Sequence, residues 1–413
     1  METAAKQVTE NKKRTFIGEL SSPQKVYLVG GIIAAIIITI LSSQQGGVQL
    51  GVQVWIGLSL GFTLFHARFG FTSAFRRLMS IGNGEGIRAH MIMLAVASGL
   101  FAIIFAIGKG FFGVEPAGYV SPVGVSVIVG SFLFGIGMQL GNGCASGTLY
   151  SLGGGRGEMV ITLIGFIIGS VLGAWHWGFW VQDMPSFAPI SLGEQFGYFN
   201  GWLLQFAFIA LIFWATKLIE KKKQPPKIKP LPQANGWLRI LKGSWPLWAA
   251  ALVLAVLNAI TLLVRGNPWG VTSAFALWGS KTASAIGIDV TTWDYWSRGN
   301  AGQLEASIFA DSTTILNFGV IIGALLASAA GGLFILKKIP IRIMLAAIIG
   351  GVLMGYGARI AFGCNIGAYF GGIASLSIHG WVWAVFALAG SYLSLYLRPL
   401  FSMSVPKKGD HFC

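Results

Sequence analysis

Two thiols stand in matching settings in this chain. The dipeptide Gly-Cys closes a glycine frame that reads GSFLFGIGMQLGNGCASG from Gly130 to Gly147 and GGVLMGYGARIAFGCNIG from Gly350 to Gly367. Glycines 130, 135, 137, 143 and 147 recur at 350, 355, 357, 363 and 367, and Cys144 recurs as Cys364, all at an offset of 220. A second pair, GFTSAF from Gly70 and GVTSAF from Gly270, recurs at an offset of 200 and brings in Thr72, Ser73, Thr272 and Ser273. Neutral thiols and hydroxyls are hydrogen-bond donors, and the thiol is the weaker and softer of the two. A thiolate could not donate and would repel an anion, so Cys144 and Cys364 are expected to stay protonated. Such a set can replace the water lost by a small, polarisable anion, and weak contacts let it leave again.

The elements that carry these residues must lie in a membrane. Hydrophobic residues make up 54% of the 413, charged residues 10%, and mean hydropathy is +0.70. That balance belongs to an α-helical polytopic membrane protein and excludes a soluble domain of this length. The net charge of +15 is no nucleic-acid signal, because Lys and Arg fall between the hydrophobic segments. Cysteines 144, 364 and 413 give neither a disulfide framework nor a metal-ligating CxxC pattern, so no metal is expected, and no cofactor. The first 26 residues are polar and basic, without the apolar stretch of a cleavable signal.

Ten spans fit, at about 27–43, 50–66, 89–108, 122–140, 158–178, 200–218, 245–264, 314–336, 341–360 and 379–398. The chain then divides into a tail (1–26), a first transmembrane half (27–218), a basic, proline-rich linker (219–243), a second half (244–398) and a second tail (399–413). Basic residues collect on one side: Lys6, Lys12, Lys13, Arg14 and Lys25 in the first tail, Arg68, Arg76, Arg77 and Arg88 after the second span, and KKKQPPKIKP in the linker. Lys337, Lys338 and Arg342, then Arg398, Lys407 and Lys408, continue the series. The positive-inside rule places both termini, with His66, Arg76 and Arg77, at the cytoplasmic face. Five crossings separate the two TSAF segments, an odd number, so the halves must form an inverted repeat.

Segments after each cysteine and after each TSAF are apolar and too short to span. They read as four short re-entrant helices, because irregular backbone at membrane depth survives only inside protein or along a cavity. Gly143, Gly147, Gly363 and Gly367 let the chain turn and approach closely. Helix N-termini there would aim free N–H groups inward, a geometry that binds anions. For the rest of the glycine frame, close helix packing is the main reading. Capping is the plain reading for the TSAF hydroxyls, alongside lining of the path. Asn142 and Asn365 flank the cysteines and offer donors, while Arg359, at the place of Gln139 in the other half, offers a charge. Lys281 reads as a solvated loop residue.

At these residues the chain resembles the YeeE/YedE family of bacterial inner-membrane proteins, over about 27–398. It looks most like the YedE branch, associated with selenium metabolism. The better-understood branch takes up thiosulfate, with cysteines on short helices handing the ion along a narrow central path through S–H···S contacts. The resemblance implies Cys144 and Cys364 as pathway residues, and a cytosolic sulfur or selenium carrier as partner. Where the thiosulfate branch has a cysteine on its first short helix, this chain has Thr72 and Ser73, which allows a related sulfur or selenium species.

Three functions compete. A permease for a small chalcogen anion fits the duplicated, inverted layout. A membrane-embedded sulfur or selenium transferase would use a cysteine persulfide or selenide, but neither Cys144 nor Cys364 has Lys, Arg or His within four residues to activate it, so no catalytic residue is assigned. A scaffold for a cytosolic carrier would use only the basic loops. No Walker A sequence is present and acids inside the spans are almost absent.

Overall fold

The computed structural model describes residues 22–226, 236–298, 301–336 and 339–407. Lys6, Lys12, Lys13, Arg14, linker residues 227–235, Lys337, Lys338, Lys408 and Cys413 lie outside the described residues.

Nine helices among the described residues are long and apolar enough to cross a membrane. The first, α1 (Lys25–Ala67), has 43 residues, about twice what a ~30 Å hydrocarbon core requires. It is not straight. Gly46 (φ −142°, ψ 28°) and Gly47 (φ 64°, ψ −160°) break it. A methyl group on Gly51 would run into the Ser43 side chain, a residue that a continuous helix would place about 12 Å away. The break is therefore a hairpin, and the two limbs of α1 are two crossings. Nine helices with one folded in two give ten crossings, as the hydropathy pattern predicts.

The remaining crossings are α3 (Glu85–Ile107), α4 (Val125–Leu140), α6 (Glu158–Trp175), α7 (Tyr198–Lys223), α8 (Leu247–Arg265), α10 (Ser312–Ala330), α11 (Ile341–Ile360) and α13 (Ile378–Leu397). The repeated motifs lie on four of the short helices between them: α2 (Phe71–Ile81), α5 (Ala145–Gly153), α9 (Thr272–Ala285) and α12, a π-helical turn (Asn365–Gly371) that runs on into Gly372–Ala374. Isoleucines 33, 36, 37 and 40 on α1 and Leu203, Leu204, Leu211 and Trp214 on α7 point outward, as lipid-facing side chains do.

Two hydrogen bonds settle the inversion. Gln49 Nε2, at the start of the second limb of α1, donates to the carbonyl of Val264 at the end of α8 (2.7 Å). At the other end, Trp245 N–H, ahead of α8, donates to the His66 carbonyl (3.1 Å). These equivalent spans are antiparallel, so the halves face opposite ways. The halves also interlock. Both limbs of α1 pack on α10, and α7 and α8 repeat that arrangement on α3. Likewise α6 packs on α11 as α13 packs on α4. On the pseudo-two-fold axis α4 crosses α11, with Gly137 against Gly350 and Gly130 against Gly357. Backbone approaches this close need glycine, so packing accounts for much of the glycine frame.

Candidate functional site

The two glycine frames end in the same local event. After α4 the chain turns through Asn142 (φ 57°), and after α11 through Phe362 (φ 57°), the residue equivalent to Asn142. Asparagine visits the left-handed region readily; a phenylalanine does so at a cost of about 1–2 kcal/mol that its surroundings must offset. Gly143 and Gly363 follow, pressed against the backbone of the short helix, and Gly363 has φ 146°. Each turn delivers a cysteine to the N-cap position of a short helix.

The thiols are themselves the caps. Cys144 Sγ accepts from Gly147 N–H (3.4 Å) and lies 3.5 Å from Ser146 Oγ. Cys364 Sγ accepts from Ile366 N–H (3.4 Å). Backbone N–H groups thus engage sulfur lone pairs, and the S–H hydrogen remains to donate elsewhere. Both residues are buried in one core cluster, and α5 and α12 touch. A methyl on Gly147 would meet only the Cys144 sulfur, at 3.3 Å, so that glycine keeps the thiol uncrowded. A methyl on Gly367 would meet the Tyr119 ring instead, at 3.9 Å.

The TSAF hydroxyls do not cap. The N-caps of α2 and α9 are Gly70 and Val271, without side-chain capping bonds. Ser73 Oγ donates to the Gly70 carbonyl (3.0 Å), and Ser273 Oγ donates to Thr313 Oγ1 (3.1 Å). Thr72 Oγ1 is buried without a hydrogen-bond partner and approaches the Cys144 thiol. Thr272 Oγ1 accepts from Arg359 Nη2 (3.4 Å). The start of α9 is held from both sides, because Asn258 Oδ1 accepts from Trp269 N–H (2.8 Å) and Asn317 Nδ2 donates to the Val271 carbonyl (2.9 Å).

Arg359 is buried. It donates to the Tyr295 hydroxyl, sits 4.8 Å from the centre of that ring, and keeps Nε without a partner. A cavity of ≈ 290 Å³ opens beside it, lined also by Tyr119, Trp177, Thr272, Ser273 and the backbone at Gly363 and Gly367. Asn365 is fully buried directly after Cys364, and neither atom of its carboxamide has a partner. Asn142 is half-buried and serves the turn. The structure therefore gathers Arg359, Thr272, Ser273, Gly363 and Gly367 at one cavity, and Thr72 and Cys144 lie outside its lining.

Some of this was not visible in sequence. Tyr119, Trp177 and Tyr295 come from connecting segments that share no repeat or motif. Gln139 did carry a signal, since it aligns with Arg359. Arg76, read as a cytoplasmic topology residue, also donates from Nη1 to Gln139 Oε1 (3.3 Å). His66 is buried, with Nδ1 2.8 Å from the Gly243 carbonyl oxygen. Lys281, read as a solvated loop residue, donates to the carbonyls of Leu304 (2.5 Å) and Ala306 (2.7 Å).

The sequence pattern of the sulphur transport family matches residues 66–393, which take in all four short helices. The chain belongs to this family, the YeeE/YedE proteins. Within the sulphur transport family it is similar to thiosulfate transporter TsuA of Escherichia coli (strain K12), 27% identical over 83% of this chain and 94% of that one. It is similarly related to thiosulfate transporter TsuA of Spirochaeta thermophila, 27% identical over 84% of this chain and 99% of that one. Probable transporter YedE of Escherichia coli (strain K12) is 31% identical over 39% of this chain and 40% of its own length. A multi-pass membrane transporter of sulfur anions is the function this family membership supports.

Proposed function

We propose that the chain imports a small sulfur- or selenium-containing anion, thiosulfate-like in size and charge, through a central path marked by Cys364 and Cys144. The observation that carries this reading is the pair of thiol N-caps on short helices that meet between the two inverted halves. Each sulfur sits where a helix aims its free N–H groups and the positive end of its dipole. An anion arriving there trades hydration for S–H donors and backbone dipoles, without a fixed charge to hold it.

In this reading Arg359 draws the anion into the cavity it shares with Thr272 and Ser273. The anion then passes Gly363 and Gly367 to Cys364, where Asn365 supplies donors for its oxygens. Cys144, with Thr72 alongside and Gly143 and Gly147 giving room, receives it on the other side of the axis. Asn142 sets the turn that presents Cys144. The path lies between two inverted repeats of five crossings each, with α7 as the counterpart of the first limb of α1 and therefore the opening span of the second repeat; the basic linker 219–243 follows α7, and the tails 1–26 and 399–413 flank the whole. By charge distribution both termini face the cytoplasm of a bacterial inner membrane, and a cytosolic carrier accepts the sulfur or selenium inside. The cysteines act as donors and not as covalent carriers: among the described residues, Cys144 Sγ meets the Gly147 N–H and the Ser146 hydroxyl and Cys364 Sγ meets the Ile366 N–H, groups that do not activate a thiolate as an adjacent cation or base would.

The test is uptake of labelled thiosulfate and of labelled selenite into proteoliposomes. Wild type should take up at least one, and Cys144→Ala and Cys364→Ala should each abolish most of that flux. Flux that survives both substitutions would remove the thiols from the path.

A further inference from the structure

Arg359 has a counterpart that no repeat in the sequence reveals. Its equivalent position is Gln139, and Thr272 is equivalent to Thr72. The two sites are built alike: Arg359 Nη2 donates to Thr272 Oγ1, and Gln139 Nε2 donates to the Thr72 carbonyl (3.1 Å). The acceptor differs, a hydroxyl in one half and a carbonyl in the other, and so does the source of the guanidinium. In the second half it is Arg359 on α11, with Ala276 on α9. In the first half it is Arg76 on α2, the position equivalent to Ala276, and Arg76 reaches Gln139 Oε1. A second guanidinium closes on the same residue, since Arg398 Nη1 donates to the Gln139 carbonyl (2.5 Å) while Arg398 is itself buried. Arg76 itself is half-buried. Like charges held together out of water repel, and an anion between them relieves that cost.

We infer that Arg76 and Arg398 form a second anion station, the inverted counterpart of Arg359, so that the path carries one guanidinium site on each side of the two thiols. The inference rests on the transport reading above. It also states how the path is charged: cationic at both ends and neutral in the middle. Along the α4–α11 axis, Gln139 stands level with position 348 and Arg359 lies 11 residues further on, about 16 Å at 1.5 Å per residue. An ion therefore leaves one station before it engages the other.

Purified full-length protein in detergent is titrated with thiosulfate, and the same protein is reconstituted in one orientation for flux from either face. Wild type is expected to bind two ions, and Arg76→Gln and Arg359→Gln one each. In flux, Arg76→Gln should raise the half-saturation concentration about tenfold for thiosulfate supplied at the Arg76 face and leave that at the Arg359 face nearly unchanged; Arg359→Gln should do the reverse. Relocating the charge supplies the control for folding: Arg76→Ala combined with Gln139→Arg reproduces the arrangement of the second half and should regain the lost site. Fewer than two ions bound by wild type, two ions bound by Arg76→Gln, or equal effects at both faces would overturn the inference. Two bound ions without flux would instead reject transport and leave the two stations standing.

Discussion

Gln139 and Arg359 occupy one position in two inverted halves, and each binds the threonine that opens the short helix beside it, Gln139 through the Thr72 carbonyl and Arg359 through the Thr272 hydroxyl. The difference between the two bonds leaves the Thr72 hydroxyl buried without a partner, whereas that of Thr272 is engaged. The duplication therefore carries a built-in asymmetry at its centre, next to Cys144.

Thr72→Val removes that unpartnered hydroxyl and keeps the shape. A buried polar group without a partner costs about 1–3 kcal/mol, so the variant should melt at or above the wild-type temperature. Uptake should nevertheless fall. A variant that is destabilised and transports normally would show that the hydroxyl is a structural bond and not part of the path.

Cys144→Ser separates capping from passage. Serine is a preferred N-cap, so α5 should be at least as stable as with the thiol. The hydroxyl is a harder donor to a sulfur or selenium atom, and uptake should drop by about tenfold, the factor a hydrogen-bond difference near 1.4 kcal/mol produces. Unchanged uptake with unchanged stability would mean that capping is the whole role of Cys144.

Gly47→Ala tests the hairpin of α1. Nothing lies within 4 Å of a methyl group there, so any cost is backbone alone. At φ 64° and ψ −160° that cost is about 1–3 kcal/mol, read as a lower midpoint of thermal unfolding in detergent. A midpoint equal to wild type would argue that the two limbs form one bent helix.

Gly323→Ala and Gly30→Ala should diverge. The first methyl would run into the carbonyl oxygen of Leu58, forcing α1 and α10 apart at a cost of about 1–3 kcal/mol. The second faces open space on the same helix pair and should be neutral or slightly stabilising, by up to about 1 kcal/mol of helix propensity. Equal midpoints for the two variants would refute close glycine packing as the basis of this contact.

Sequence by itself determined the solvent, the number of crossings, the duplication and its inversion. Hydropathy is a local property, a 20-residue apolar run has one outlet, and an odd count of crossings between two copies fixes their relative direction. It also singled out Cys144 and Cys364, because equal spacing in two copies is visible without coordinates. Tertiary structure decided the rest. That α1 packs on α10 and α8 on α3, across the halves, follows from which surfaces fit and not from any local pattern. The thiols became caps because Asn142 and Phe362 turn left-handed there. Arg76 proved to be the partner of Gln139, where loop charge alone had placed it among the topology residues, and Tyr119 and Tyr295 reached the cavity from segments with no repeat at all. Contacts between residues tens to hundreds of positions apart depend on how helices fold back on one another, and a side chain's charge or ring says nothing of that until the backbone has chosen its neighbours.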